Sequence, residues 1–284
     1  MTQHIPVLAK EILDQLQLKP GMTVVDGTVG LGGHAALMLQ QIGPNGKLIG
    51  FDRDARNLAV AQDNLRQFGS QVTLINDSFA HMSEHVAQAD AILLDLGFSS
   101  VHVDDPTRGF SFMTDGPLDM RYDQRQTLTA EAIVNSWSRD ELATLFRRYG
   151  EEPRAVQIAK AIFEARREQR ITTTGQLADI VSAVVPRRGK THPATKVFQA
   201  LRIAVNDELG EVEKGLAAAA NVLKPGGRLA VISFHSLEDR TVKLWLKKQE
   251  TFVSLSKKPI VPTRAEVISN PRARSAKLRV AERR

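Results

Sequence analysis

The sequence predicts an α/β fold: a doubly wound, mainly parallel sheet with an all-helical insertion. Two observations carry this. From residue 22 to residue 97, short apolar runs alternate with segments whose apolar residues recur every three or four positions, which implies βαβ units. After Asp95 the rhythm breaks, and the next buried strand pattern is GRLAVISF at 227–234, much farther along than one crossover requires.

The strand runs are MTVVD at 22–26, KLIGFD at 47–52, QVTLIN at 71–76 and AILLDLG at 91–97, with helical patterns HAALMLQQI and ARNLAVAQDNLRQF between them. The N-terminal MTQHIPVLAKEILDQ has an amphipathic helical pattern. SRDELATLFRRYG, EEPRAVQIAKAIFEARREQ and TTGQLADIVSAVV read as helices of the insertion, separated by Gly, Pro or Thr-rich breaks. The expected division is a sheet domain of residues 1–106 and 193–284, with residues 107–192 inserted. From Thr195, the positions Val197, Leu201, Val205, Leu209, Val212 and Leu216 form one stripe, expected to be a single long helix packed on the sheet and stopping near KPGG at 224–227. KKPIVPT and AKLRVAER are the β-like runs near the end.

Composition narrows the chemistry. There is no cysteine, which removes disulfides, thiolate nucleophiles and Cys-based zinc sites. No run of eighteen apolar residues occurs and no signal core opens the chain, so a cytoplasmic protein without a membrane association is expected. The net charge of +6 is unevenly spread: NPRARSAKLRVAERR at 270–284 holds six basic residues against one acid, and PRRGK at 186–190 is a second basic knot. Clusters of this kind suit a phosphate backbone, although a solvated basic tail reads the same way.

The first strand runs into DGTVGLGGHAA. Gly30, Gly32 and Ala35 satisfy the G-x-G-x-x-G/A spacing, and Asp52 closes the second strand where a carboxylate can take ribose hydroxyls. Both NAD and S-adenosylmethionine use this geometry. Asp26, just ahead of the glycines, suits a cationic ligand better than a diphosphate and favours S-adenosylmethionine. Phe79, in NDSFA after the third strand, can lie against adenine or belong to the core. DLGFSS at 95–100 offers Asp95, Ser99 and Ser100 as acceptors for the N–H groups of an exocyclic amine undergoing methyl transfer. His34 opens the first helix, where it can contact cofactor or act as a cap. HMSEH matches an inverted zinc-protease pattern through His81, Glu84 and His85, but nothing marks a third ligand, and no metal is expected.

DGTVGLGGH, DRD, LLDLGFSS, RGFSFMTDGPLDMR, HPATKVFQALRI, ISFHSLEDR and NPRARSAKLR occur in this order along essentially the whole chain. Together they resemble the bacterial ribosomal RNA small-subunit methyltransferase H family, also called MraW. The resemblance implies a class I (Rossmann-like) methyltransferase fold and S-adenosyl-L-methionine as donor. It also implies N4-methylation of a cytidine in the decoding region of 16S ribosomal RNA; the expected partner is that RNA within an assembled or nearly assembled small subunit, and a homodimer is left open. It maps cofactor contacts onto Gly32, Gly33, His34, Asp52, Phe79, Asp95 and His102. Asp95, Ser99 and Ser100 are the catalytic residues expected from the DLGFSS turn, and the helical insertion is expected to recognise substrate. An NAD-dependent oxidoreductase and a non-catalytic RNA-binding or assembly protein are the alternatives.

Overall fold

The computed structural model describes residues 5–97, 100–187 and 191–284, with the backbone alone of Ser100. In chain order, α1 (Ala9–Leu16), β1 (Thr23–Asp26), α2 (Gly33–Ile42), β2 (Lys47–Phe51), α3 (Ala55–Asn64), β3 (Val72–Ile75), α4 (Met82–His85) and β4 (Ala89–Asp95) build the first stretch. Six helices follow: α5 (Ser100–Asp104), α6 (Ala130–Ser136), α7 (Arg139–Gly150), α8 (Ala155–Glu168), α9 (Thr174–Val184) and α10 (Thr195–Asn206). The chain ends with α11 (Glu208–Val222), β5 (Leu223–Ser233), α12 (Ser236–Lys248), β6 (Phe252–Ser254), α13 (Arg264–Ser269) and β7 (Lys277–Arg283). These elements form two compact units, one of Met1–Gly97 with Leu209–Arg284, the other of Phe98–Glu208.

The first unit is a seven-stranded sheet in the order β3-β2-β1-β4-β5-β7-β6. β1 to β5 are parallel, and β7 is antiparallel to both β5 and β6. Strand alternation sends neighbours to opposite faces. Val24, Ala91 and Leu93 pack with Ile12 of α1, Leu39 of α2 and Ala61 of α3. Val25, Ile92 and Leu94 pack with Met82, Leu216 and Val242 of α4, α11 and α12. A strand buried on both faces reads as a continuous apolar run, as AILLD does in β4. The strand order reverses between β1 and β4, and ligands of open α/β sheets bind at the carboxyl ends of the strands beside such a switch point.

The second unit is helical. Ile133, Phe146, Ile158, Leu177 and Leu201 of α6 to α10 share one core. Its helix starts are written in the sequence. Ser138 with Glu141 makes a capping box for α7, and Thr173 with Gln176 makes one for α9.

Four expectations are corrected. The units divide after Gly97 and Glu208, against the expected 106 and 192. The stripe from Val197 to Leu216 is two helices, because Asp207 takes a left-handed conformation (φ 48°) that short polar residues tolerate. Val197, Leu201 and Val205 then fill the helical core while Val212 and Leu216 fill the sheet's, so a single periodicity spans two cores. KKPIVPT is not a strand: prolines 259 and 262 lack amide donors, and only Ile260 bridges to Leu278, while Phe252–Ser254 supplies β6. The N-terminal helix starts only at Ala9, past Pro6. KPGG lies within the span of β5, where the register jumps from Ala89↔Leu223 to Ala91↔Arg228 and the turn loops out of the ladder. No helix among the described residues is long and apolar enough to cross a membrane.

Candidate active site

β1 delivers Asp26 to the carboxyl edge of the sheet, and the chain then turns through its glycines. Gly27 donates from its amide to Leu93 O at 2.9 Å, and a Cβ there would lie 2.4 Å from Leu94 Cδ2, so only glycine fits. Gly30 (φ 53°) and Gly32 (φ 88°) occupy the left-handed region. Gly32 is the N-cap of α2, Gly33 its first residue and His34 its second. The first-turn amides of α2 therefore face this edge of the sheet.

Carboxylates crowd behind this turn. Asp26 is 1% exposed; one oxygen accepts from Thr28 N at 3.1 Å, and Oδ2 is buried with no hydrogen-bond donor among the described residues. Burial chiefly, with the Asp52 charge adding, pushes its pKa up to about 7 against the pull of the Thr28 amide. Asp95, at the end of β4, also has a buried oxygen without a donor among the described residues, Oδ1. Burial first, then the charges of Asp26 and Glu238, hold its pKa well above the ordinary carboxylate range. Its amide donates to Thr28 Oγ1 at 2.6 Å, tying the glycine turn to β4. His34 Nε2 stands 3.6 Å from Asp95 Oδ2.

Asp52 follows β2, as expected, and is already engaged in holding the turn. Its Oδ2 accepts from Gly30 N at 3.0 Å and Asn57 Nδ2 at 3.2 Å, and its Oδ1 accepts from Asp54 N at 2.8 Å. These bonds fix the carboxylate at the end of β2, beside the glycine turn.

The sheet unit thus brings Gly32, Gly33, His34, Asp52 and Asp95 to one edge. Phe79 lies between β3 and α4 with its ring against Gly215 of α11, where a Cβ would sit 2.2 Å from the ring, and packs with that face's core while staying partly exposed. His102 belongs to the helical unit, 3% exposed, with its ring centroid 4.9 Å from Phe110 and 5.1 Å from Tyr122. Ser99 lies outside the described residues, as do residues 188–190 of PRRGK, and Ser100 begins α5. The HMSEH histidines converge on a carboxylate: His81 Nδ1 and His85 Nε2 stand 2.9 and 3.2 Å from the two oxygens of Asp77.

Two contributors were not singled out from the sequence for this edge. Glu238, 1% exposed in the first turn of α12, accepts from Phe234 N at 2.8 Å and His235 N at 3.2 Å, and its charge reaches Asp95. His235 completes the capping box through Nδ1, which accepts from Glu238 N at 3.3 Å. The signal was a cap spacing, H-x-x-E, in place of the usual S/T-x-x-E. The other contributor is Thr28, which binds both Asp26 and Asp95.

Chemically, this edge combines glycine turns that admit a ligand close to backbone with buried carboxyls that repel one another. It favours a ligand carrying positive charge and disfavours a pyrophosphate. Comparison with known proteins agrees with this chemistry. A model of the MraW methylase family matches residues 1–284. A ribosomal RNA small subunit methyltransferase H from Symbiobacterium thermophilum is 47% identical, covering 97% of this chain and 95% of its own. The chain belongs to the MraW methylase family. Another member, the ribosomal RNA small subunit methyltransferase H of a Cyanothece species, is 49% identical over 99% of this chain and 94% of its own. Solved structures share the fold at lower identity. A protein from Clostridium thermocellum described as an rRNA methylase has a TM-score of 0.50 and 15% identity, covering 99% of this chain and 97% of its own. A Streptococcus mutans protein described as a methyltransferase, solved in complex with SAH, has a TM-score of 0.50 and 13% identity, covering 99% of this chain and 100% of its own. The MraW methylase fold is accordingly the Rossmann-like α/β sheet of class I methyltransferases, here with a helical unit inserted between β4 and α11.

Proposed function

We propose that the protein transfers a methyl group from S-adenosyl-L-methionine to N4 of a cytidine in the decoding region of small-subunit ribosomal RNA. The observation that carries the donor assignment is the gathering of Asp26, Asp52 and Asp95 behind the glycine turn, two of them with a buried oxygen lacking a donor among the described residues. A sulfonium ligand with an ammonium group relieves that repulsion. The two phosphates of NAD would add to it. Small-subunit ribosomal RNA as acceptor is supported by the relatives, which are named ribosomal RNA small subunit methyltransferase H, while N4 of a decoding-region cytidine is what the resemblance of the sequence motifs implies.

Asp26 and the backbone from Gly30 to Gly33 would hold the amino-acid end of the donor, Asp52 its ribose and the exposed part of Phe79 its adenine. When bound, the donor supplies an electrophilic methyl carbon already activated by sulfonium, so positioning dominates what the protein must add. The N4 lone pair of cytosine is delocalised into the ring. Asp95, at the end of β4, accepts an N–H of the amine and returns electron density to nitrogen; Ser99 and Ser100 are placed by sequence to assist. His34 beside Asp95 steadies the carboxylate. The target base leaves its stack to reach this edge, and the inserted unit with the basic C-terminal segment holds the RNA, in the assembled subunit and hence in the cytoplasm.

The test is methyl transfer from labelled donor to small-subunit particles and to naked RNA, followed by nucleoside analysis. N4-methylcytidine appearing with the particles is the expected outcome. Label on another atom overturns the acceptor assignment, and no label with either substrate overturns the reaction.

A further inference from the structure

The sheet unit carries a second concavity, a cavity of about 380 Å³ lined by Phe234, His235, Ser236, Arg274, Ser275 and Lys277 among others. It forms where β5 hands over to α12 and where β7 begins, because Ser233 pairs with Lys277 across the antiparallel ladder. It also lies beside the reacting edge. Asp95 pairs with Ile232, and a Cβ on Gly97 would lie 3.4 Å from the Phe234 ring.

The polar groups of this cavity divide into spent and available. His235 and Glu238 are consumed in capping α12. Asp239 binds Arg279 Nε at 2.7 Å and meets Lys277 Nζ only at 3.5 Å, so the Lys277 charge is incompletely compensated. Arg274 is exposed and has no carboxylate partner among the described residues. Two cations and the Ser275 hydroxyl therefore line this space together with a partly exposed aromatic ring, and its volume falls within the roughly 300–1,000 Å³ range of small-ligand sites. A ligand that satisfies both walls has an anionic group joined to a flat, stackable one.

We infer that this cavity seats a nucleotide of the RNA flanking the methylated one, its phosphodiester between Arg274 and Lys277 and its base against Phe234. This rests on the reading of the protein as an RNA methyltransferase. The phosphate contact fixes register, while stacking accepts any base, so the cavity holds the strand in place beside Asp95 without reading its sequence.

The test uses the full chain saturated with S-adenosylmethionine and a labelled, short single-stranded oligoribonucleotide, with affinity measured across a salt series. Arg274→Ala is expected to weaken binding about tenfold and to reduce the salt slope by about 0.7, one single-strand phosphate contact. Phe234→Leu is expected to weaken binding about fivefold or more with the slope unchanged. Arg264→Ala removes an equally exposed charge outside the cavity and is expected to change affinity less than twofold. Because Arg274 is exposed, its variant should melt with the parent. Equal losses for Arg274→Ala and Arg264→Ala, or no loss for Arg274→Ala, overturn the inference. Wild-type transfer to small-subunit particles is measured alongside. An active wild type with an indifferent Arg274→Ala variant removes the cavity alone. A wild type that transfers no methyl, yet binds RNA through Arg274, removes the reaction and leaves the cavity standing.

Discussion

In the helical unit, Asn206 is 1% exposed, and its amide donates to Met120 O and Arg202 O while its oxygen accepts from Tyr122 N. Nearby Glu208, 8% exposed, takes two bonds from Arg202 and one from the Tyr122 hydroxyl. At the carboxyl edge of the sheet unit, Asp26 and Asp95 each keep a buried oxygen without a donor among the described residues, and charge from Asp52 raises the pKa of Asp26 as charge from Asp26 raises that of Asp95. The helical unit uses its buried polar groups to fix a shape. The sheet edge holds groups that are costly in the free protein and become favourable only when a cation arrives, as expected of a site that sacrifices stability for binding. Substitutions in the two regions should therefore have opposite signs.

The sharpest separation comes from Asp95. Asp95→Ala is expected to lower methyl transfer to small-subunit particles by about a thousandfold, some 4 kcal/mol of barrier, while the melting temperature of the free protein holds or rises. Single-turnover rates and thermal melts read both quantities. Turnover within about threefold of wild type, roughly 0.7 kcal/mol, would take Asp95 out of the chemistry.

Asp26 tests the same cost through pH. Its folded pKa of about 7 lies above the ordinary 3.8, so between those values the folded state holds a proton that the unfolded state has lost. Stability therefore falls as pH rises from about 4 to 7 and levels off above. Asp26→Asn removes that cost: at pH 8 it should stabilise the free protein by on the order of 4 kcal/mol, an advantage that vanishes near pH 4. S-adenosylmethionine should bind the variant more weakly at pH 8 by calorimetry. A variant less stable than wild type at pH 8 would show that the buried carboxylate is compensated.

The opposite sign is expected in the helical unit. Asn206→Ala leaves the Tyr122 amide without its acceptor and the Met120 carbonyl without its donor. The expected loss is about 2 kcal/mol in denaturant midpoint, with S-adenosylmethionine affinity unchanged. A matching fall in cofactor affinity would mean that the two regions are coupled, and the contrast between them would fail.

The same contrast explains what the sequence could carry. β1, β4 and β5 were legible because two-sided burial writes continuous apolar runs, and the glycine turn because positive φ selects glycine. Asp26 and Asp52 were legible through their place beside that turn. The break at Asp207 was not, since Val205 and Val212 keep helical spacing across it while facing different cores. β6 was hidden by its shortness, FVS, next to a more β-like KKPIVPT whose prolines cannot pair. Glu238 was obscured because a capping glutamate looks the same whether or not its charge reaches an active site.

The smallest effect is expected at HMSEH, where a motif reading and a geometric one part. A zinc site would make stability depend on metal, whereas His81 and His85 are held by Asp77. The bond to Asp77 chiefly raises the His81 pKa, and the histidines and the Ser78 amide hold Asp77 low against its partial burial. The raised histidine contributes stability below its unfolded value, lost as pH rises through the folded one; the lowered aspartate contributes above its unfolded value, lost as pH falls through the folded one. The pair is therefore most favourable in the window between the two. His81 is half exposed, so solvent screening limits the contribution to about 0.5 kcal/mol or less. His81→Gln should shift the melting temperature by no more than about 1–2 °C at pH 6 and by less at pH 8. EDTA should leave the wild-type melt unmoved and zinc should not raise it; a rise with zinc that His81→Gln abolishes would turn the decoy into a metal site.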